Sequence, residues 1–336
     1  MRVRFLSLLA SFAVLISASA GAALAAAEQC GGQDMFEELA KRSPAAYEKV
    51  RAEAKSLVNT EALLWRVEGK GQAPSYLFGT MHLSDARITK LSPAASKALT
   101  GAKIVVLEVG DLSPSALAGA MAASGADLVY ADGRSLADNL TQEEFDKVKT
   151  VVASSGLPGD AARMLKPWLV STLLSISECE RRKAASGAKV LDMQLADTAK
   201  ASGTPVVGLE TINEQLAALS GIPEEQQLQM LRLSLKYFDR TNDMMETMVQ
   251  FYLRRDMGAA MPFQSALAGE MGIPDTAFDG FRKSLLVDRN ARMSVSASPH
   301  LEAGNAFIGV GALHLPGETG LVALLRKAGF KVIPVE

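Results

Sequence analysis

Two stretches near opposite ends of the chain share one pattern, and that pattern restricts the folds open to this sequence. Phe78–Leu83 (FGTMHL) and Val310–Leu315 (VGALHL) each place Gly-x-x-His-Leu directly after an apolar, strand-like run. Each is followed by a loop, a helix-like segment, a glycine and another apolar run. Strands that alternate with helices are typical of α/β proteins. The sequence therefore predicts an α/β fold in which two histidines follow two strands.

The other apolar runs predict a central mixed β-sheet flanked by helices, with a large helical insertion over about residues 113–300. The predicted strands are Leu63–Val67, Ser75–Phe78, Ile104–Val109, Pro205–Leu209, Ala306–Val310 and Lys331–Val335, of which the first two form a hairpin. The predicted helices are Met35–Val58 (broken or bent at Pro44), Ser92–Leu99, Glu143–Ser154, Trp168–Arg182, Leu191–Ala201, Pro223–Leu253, Phe278–Ser296 and Thr319–Ala328. Thr141 with Glu144 is a predicted capping box that opens the helix at Glu143–Ser154. No linker long enough to separate domains is evident, so residues 28–336 are predicted to form a single domain.

The first 27 residues have the features of a cleavable signal peptide. Arg2 and Arg4 precede an apolar run over Phe5–Ile16, and small residues follow over Ala18–Ala27. The apolar run is short for a membrane-spanning helix, and no later stretch is long and apolar enough to cross a bilayer. The chain is therefore expected to be periplasmic or secreted, with no stable membrane span after cleavage.

Charge and cysteine content narrow the possible partners. The 35 Lys and Arg against 37 Asp and Glu give a formal net charge of −2, which argues against a nucleic-acid-binding protein.

The two cysteines, Cys30 and Cys179, form an even pair in a chain predicted to enter an oxidising compartment. A disulfide is favoured over two separate thiols. Neither cysteine has metal-ligand spacing to another Cys or His, so a thiolate zinc site is not expected.

Four residues are predicted to lie along one edge of the sheet. Because ligands of open α/β sheets bind beyond the carboxyl ends of the strands, His82 and His314 should face a shared crevice with Glu108 and Glu210. Two imidazoles and one carboxylate are a common ligand set for a catalytic divalent metal. The other carboxylate could act as a general base or could support a ligating histidine. The third histidine, His300, has no such context and is expected in a surface loop.

Three segments resemble the TraB/GumN family: Leu77–His82, Gly208–Thr211 and Gly311–Gly317. That family includes the Tiki metalloproteases, which clip the N-terminal end of secreted Wnt proteins, and TraB-type proteins that shut down peptide pheromones. It also includes GumN, which is encoded with exopolysaccharide synthesis genes. The resemblance covers roughly residue 63 to the C-terminus. It implies a Tiki-like α/β fold related to the erythromycin esterase and ChaN-like groups.

The resemblance also implies a site. Carried over to this chain, the metal ligands would be His82, Glu210 and His314, with manganese or cobalt favoured and zinc as a further option. Arg289-Asn290 resembles an Arg-Asn pair in the family's last long helix, where the arginine could bind a substrate carboxylate or an oxyanion. Glu108 is then the candidate base or supporting carboxylate, and a peptide or protein is the expected substrate.

The leading hypothesis is an exported, divalent-metal-dependent, peptidase-like hydrolase. One alternative is a non-catalytic protein that binds haem or a cell-envelope ligand, and another is an accessory protein in exopolysaccharide assembly. The methionines between residues 244 and 261 would fill a helical core or form an adaptable apolar surface. The sequence leaves the natural substrate and the oligomeric state open.

Overall fold

The computed structural model describes residues 30–336, so the predicted signal peptide at residues 1–27 lies outside the described residues. The strands are β1 Leu64–Glu68, β2 Ser75–Thr80, β3 Ile104–Val109, β4 Val206–Glu210, β5 Ala306–Gly311 and β6 Lys331–Pro334. The helices are α1 Met35–Arg42, α2 Pro44–Ser56, α3 Ala86–Thr89, α4 Pro93–Thr100, α5 Pro114–Ala123, α6 Gly125–Leu128, α7 Gln142–Ser154, α8 Pro167–Leu174, α9 Glu178–Ala185, α10 Leu191–Ala201, α11 Ile212–Ser220, α12 Glu224–Lys236, α13 Thr241–Leu253, α14 Ala260–Gly269, α15 Asp279–Phe281, α16 Asp288–Ala303 and α17 Leu321–Lys327.

The six strands form one mixed sheet in the order β4-β3-β5-β2-β1-β6. The strands β4, β3, β5 and β2 run parallel to one another, whereas β1 is antiparallel to both β2 and β6. The mixed sheet and the β1–β2 hairpin are therefore confirmed. Because parallel strands end at the same edge, the segments that follow β2, β3, β4 and β5 all emerge together.

Apolar layers cover both faces of this sheet. Phe78, Leu107 and Phe307 pack on one face against α1, α10 and α13, and Val106, Ile308 and Val310 pack on the other face against α16 and α17. The continuous apolar run of β3 matches this burial, since a strand covered on both faces has no polar side to present to water.

The helical insertion lies between β3 and β5 and contains one strand, β4. It has its own apolar cluster, in which Phe145 and Val148 of α7 pack against Leu231 of α12. The predicted capping box is confirmed: Thr141 Oγ1 accepts from the Glu144 amide, and Glu144 Oε2 accepts from the Thr141 amide at 2.8 Å. The methionines are largely core-filling, since Met257 is buried and Met244 and Met248 pack against the core of the sheet.

The predicted Met35–Val58 helix is broken before Pro44 into α1 and α2, as predicted, and two other long predicted helices are each two helices in the structure. The predicted Trp168–Arg182 helix is interrupted between α8 and α9, where Ser177 caps the start of α9. The predicted Pro223–Leu253 helix is interrupted between α12 and α13 by a 3₁₀ turn at Phe238–Arg240. In both cases helical apolar spacing continues across a short break, so periodicity alone gives no boundary.

The predicted disulfide between Cys30 and Cys179 is confirmed, with the two Cα atoms 5.6 Å apart. It closes a loop of 149 residues, and the loss of chain entropy in the unfolded state can contribute up to ~5 kcal/mol to stability. Within residues 30–336, none of the helices has both the length and the apolar composition needed to cross a bilayer.

Candidate active site

The two Gly-x-x-His turns pack directly against each other at the carboxyl edge of the sheet. The strands β2 and β5 are parallel neighbours, and Thr80 is in register with Gly311. A Cβ atom at Gly79 would lie 2.8 Å from Leu315 Cδ1 and 3.2 Å from Ala312 Cα. Any larger residue at position 79 would push the second turn away from the first, which explains the glycine in the first motif.

His82 is held by an aspartate from the helical insertion. Its Nδ1 lies 2.7 Å from Asp192 Oδ2, and Thr80 Oγ1 donates to Asp192 Oδ1 at 2.7 Å. Partial desolvation by neighbouring residues disfavours the charged ring, but the hydrogen bond and negative charge of Asp192, with Glu108 beyond it, raise the pKa of His82 to about 9. The His82 side chain is 61% exposed, so its other ring edge is accessible.

His314 is held by an amide and is buried. Its Nδ1 lies 2.7 Å from Asn290 Oδ1, and Asn290 Nδ2 donates to the Thr319 carbonyl at 2.9 Å. Because the amide NH₂ is used at Thr319, the amide oxygen accepts from the ring, which leaves Nε2 of His314 without a proton. Burial, together with the positive charges of Arg289 and His82, outweighs the attraction of Glu108 and lowers the pKa of His314 to about 4.

Glu108 lies between the two histidines. Its Oε1 accepts from the Gly311 amide at 2.6 Å and lies 3.6 Å from His314 Nε2. Its Oε2 accepts from Arg289 at 2.6 Å and from Gln215 at 3.0 Å. Burial raises the pKa of Glu108, but the positive charges around it and the Gly311 amide prevail and lower the pKa to about 2. Glu108 is therefore ionised at neutral pH.

Glu210 lies on the far side of Arg289. It is the last residue of β4, its side chain is 1% exposed, and both its oxygens accept from Arg289 at 3.0 and 3.1 Å. Arg289 thus bridges Glu108 and Glu210, and its own side chain is only 10% exposed. Arg289 follows a π-helical turn, Arg282–Val287, that leads into α16. The predicted roles of Glu210 at a metal and of Arg289 at a substrate stay predictions.

The two histidines and Glu108 meet beside Gly311. A Cβ atom at this glycine would lie 3.1 Å from Glu108 Oε1, 3.5 Å from His314 Cδ2 and 3.9 Å from His82 Nε2. A cavity of about 260 Å³ adjoins His82 and Glu108, but neither His314 nor Gly311 lines it. Its lining residues are His82, Leu107, Glu108, Val109, Leu112, Val190, Asp192 and Gln215. The absence of a side chain at position 311 keeps the space between the three groups open.

The donor chemistry beside Gly311 fits a divalent metal, although the ligands are not pre-arranged. In the described part of the chain, no group of three or more His, Cys, Asp or Glu side chains is placed so that it could hold a metal ion. However, each imidazole is anchored through Nδ1 to an oxygen, so the Nε2 atoms and one carboxylate are donors of the type that such ions bind, with the Nε2 proton of His82 displaced on binding. His300 lies in the last turn of α16 rather than in the expected loop.

Three residues of the site were not predicted from the sequence. Thr80 lies within the first motif and could have been considered for that reason. Asp192 is 110 residues from His82, and Gln215 is 107 residues from Glu108. Neither belongs to a recognisable motif, so only the fold identifies them.

Comparisons with known proteins identify the family to which the sequence is similar. The chain is 24% identical over 263 residues to the uncharacterized protein YbaP of Shigella flexneri, covering 76% of this chain and 89% of that protein. It is 23% identical over 319 residues to the metalloprotease TIKI1 of Danio rerio, covering 81% of this chain and 62% of that protein. No solved structure was found to match. The model of the TraB/PrgY/gumN family matches residues 63–334, which contain both histidine turns, and the chain therefore belongs to that family.

Proposed function

We propose that this protein is an exported, divalent-metal-dependent hydrolase that cleaves peptide bonds. The observation that carries the proposal is the convergence of His82, His314 and Glu108 around the space beside Gly311. The similarity to proteins named as TIKI metalloproteases supports a metalloprotease-like activity, and the disulfide is compatible with export.

The metal would be held by His82, His314 and Glu108. This differs from the set implied by the family resemblance. Both carboxylates accept hydrogen bonds from Arg289, so the choice rests on proximity: Glu108 Oε1 lies 3.6 Å from His314 Nε2, whereas Glu210 lies on the far side of Arg289. Manganese or cobalt remains the favoured ion. When bound, a divalent ion would supply Lewis-acid polarisation of the scissile carbonyl and would make a nearby water molecule more acidic.

The surrounding residues orient these donors. Asp192 and Asn290 hold the Nδ1 atoms, which fixes each ring so that its Nε2 edge faces away from the residue that holds it. Arg289 holds Glu108 ionised and fixes its carboxylate plane through a bond of 2.6 Å. Leu112 and Val190 line the cavity wall and would contact apolar parts of a substrate.

Calorimetric titration with Mn²⁺, Co²⁺ and Zn²⁺ tests the proposal. We expect His82→Ala and His314→Ala each to abolish measurable binding while both variants remain folded. His300→Ala is the matched control, since position 300 is roughly 16 Å along α16 from Arg289 at 1.5 Å per residue. Unchanged binding in the His82 and His314 variants would contradict the assignment.

Incubation with a mixed peptide library, read by mass spectrometry, tests the reaction. We expect cleavage that stops when a chelator removes the metal and returns when Mn²⁺ or Co²⁺ is added. If the metal binds but no peptide is cleaved, the peptidase assignment fails. A Soret band that appears on addition of haem and is lost in His82→Ala would instead support the haem-binding alternative.

A further inference from the structure

The loop that carries His82 is tied to three helices of the insertion, and this arrangement points to an additional positioning residue. Tyr252 of α13 donates to the Gly79 carbonyl at 2.8 Å, and the Leu191 amide at the start of α10 donates to the Leu83 carbonyl at 3.3 Å. Glu180 of α9 provides the third connection. Its Oε2 accepts from the Ser84 hydroxyl at 2.8 Å and from the Ser84 amide at 3.2 Å.

Helix α9 has little apolar surface with which to hold its place. Its sequence is ECERRKAA, and its buried residues are Cys179, Glu180 and Lys183. Lys183 donates to Glu180 Oε1 at 2.7 Å, so the two oxygens of Glu180 are divided between Lys183 and the loop. Because burial of apolar side chains cannot fix this helix, its position depends on the Cys179 disulfide and on these polar contacts.

The disulfide connects α9 to a segment that is itself fixed. Cys30 begins a stretch that lies along α13, where the Gln33 amide donates to Asp243 Oδ1 at 2.9 Å and the Met35 amide donates to Thr247 Oγ1 at 2.8 Å. A continuous path thus leads from α13 through Cys30, Cys179 and Glu180 to Ser84, which is two residues from His82.

We propose that Glu180 is a positioning residue for His82 and that the Cys30–Cys179 disulfide keeps Glu180 in place. The metal site is then complete only after the disulfide has formed, so the protein would be active only in an oxidising compartment. The expected effect on metal binding rests on the proposed function. The positioning of the His82 loop by Glu180 can be tested independently of that function.

Opening the disulfide is a two-electron reduction. A dithiol reductant such as dithiothreitol supplies two electrons and two protons, its sulfurs join as a cyclic disulfide, and Cys30 and Cys179 become two thiols. Released from Cys30, α9 no longer holds its carboxylate against Ser84. We expect the loop amides at 81–84 to exchange hydrogen about tenfold faster, as the loss of hydrogen bonds to a charged group implies.

Hydrogen exchange of the full chain tests the geometric part. The samples are the oxidised protein, the reduced protein, Cys30→Ser/Cys179→Ser and Glu180→Gln. The last variant keeps the disulfide, but its amide cannot accept from both Lys183 and Ser84. Glu178→Gln is the matched control, because Glu178 lies on the same helix, is 76% exposed and contacts Arg182. Ser84→Ala loses the hydroxyl bond but keeps the amide bond to Glu180, so it should accelerate exchange less than Glu180→Gln, and Ser84→Thr, which keeps both donors, should leave exchange slow.

Two further readouts separate positioning from general loosening. The Nδ1 proton signal of His82, bonded to Asp192, should broaden in Glu180→Gln while the amides of β3 and β5 remain protected. The dissociation constant for Mn²⁺ should rise about tenfold, as for other residues that support metal ligands. Unchanged exchange at 81–84 in Glu180→Gln overturns the inference, and so does faster exchange with an unchanged His82 signal. If the oxidised wild type binds no Mn²⁺, the proposed function fails, and the exchange and the His82 signal still decide the inference.

Discussion

The two histidine turns have the same spacing but opposite electrostatic surroundings. The His82 side chain is 61% exposed and bonds to the carboxylate of Asp192, whereas the His314 side chain is 6% exposed and bonds to the neutral amide of Asn290. As a result the pKa of His82 is raised to about 9, and that of His314 is lowered to about 4. At neutral pH, without metal, one ring is charged and the other is neutral. The motif therefore sets the position of each ring, and the residue that bonds to Nδ1 and the depth of burial set its charge.

Arg289→Met should have the largest effect, because it removes the charge that separates Glu108 from Glu210. Both carboxylates are buried, so the variant leaves two like charges without a counterion, and we expect a loss of ~3–5 kcal/mol of unfolding free energy. Urea denaturation measures this. Arg292→Met is the control, since Arg292 is 45% exposed and lies 3.8 Å from Glu210, and it should change stability by less than ~0.5 kcal/mol. A similar loss in both variants would contradict the role given to Arg289.

Asp192→Asn should reduce the pKa difference between the two histidines by lowering the pKa of His82. Without the negative charge, we expect the pKa of His82 to fall to its ordinary value of 6.5 or lower, and the unfolding free energy to fall by ~1.5–3 kcal/mol. Titration of the metal-free protein by NMR gives the pKa. Asp197→Asn is the control, because Asp197 lies on the same helix, is 49% exposed and pairs with Lys189. A His82 pKa that stays near 9 in Asp192→Asn would show that another group is responsible.

Asn290→Asp should make the second turn electrostatically similar to the first. A carboxylate at His314 Nδ1 favours the charged ring, so the pKa of His314 should rise from about 4 to above 6.5. The lost bond to the Thr319 carbonyl should cost ~1–2 kcal/mol of stability. The same NMR titration measures the pKa. Asn213→Asp, at an exposed position in α11, should leave the His314 pKa unchanged.

The contributions of the two histidines to the free energy of unfolding should change with pH in opposite directions. This is the smallest of the four predicted effects. The lowered pKa of His314 means that the unfolded state binds more protons between pH 6.5 and 4, so the contribution of His314 is present above pH 6.5 and is lost as the pH falls toward 4. The raised pKa of His82 has the opposite sign, and its contribution is lost as the pH rises from 6.5 to 9. His314→Gln should reduce the loss between pH 6.5 and 5.5 by about 1 kcal/mol, measured by urea denaturation without metal. An equally steep acid limb in His314→Gln would contradict this assignment.

Parts of this comparison can be obtained from the sequence. The apolar runs and the repeated Gly-x-x-His pattern predict the strands β2 and β5 and the two histidines that follow them. The capping box at Thr141 and Glu144 is local, since its two hydrogen bonds span three residues, and it is also predicted. The split of the long helices and the contacts of Asp192 and Gln215 are not predicted from the sequence, because no short-range pattern encodes them.

The choice between the two carboxylates shows what the sequence alone does not determine. Glu108 and Glu210 both lie near the ends of buried-looking runs, so the sequence places both at the rim, and the family resemblance favours Glu210 as the metal ligand. The sheet order β4-β3-β5-β2 places β3 beside β5, the strand that precedes His314, whereas β4 lies at one edge of the sheet, beyond β3. By itself the sequence determined the six strands and the edge at which the functional groups emerge, because strand period and turn chemistry are local. Only the tertiary structure decided which acid meets the histidines and which ring is charged, because strand order and burial depend on contacts between residues far apart in the chain.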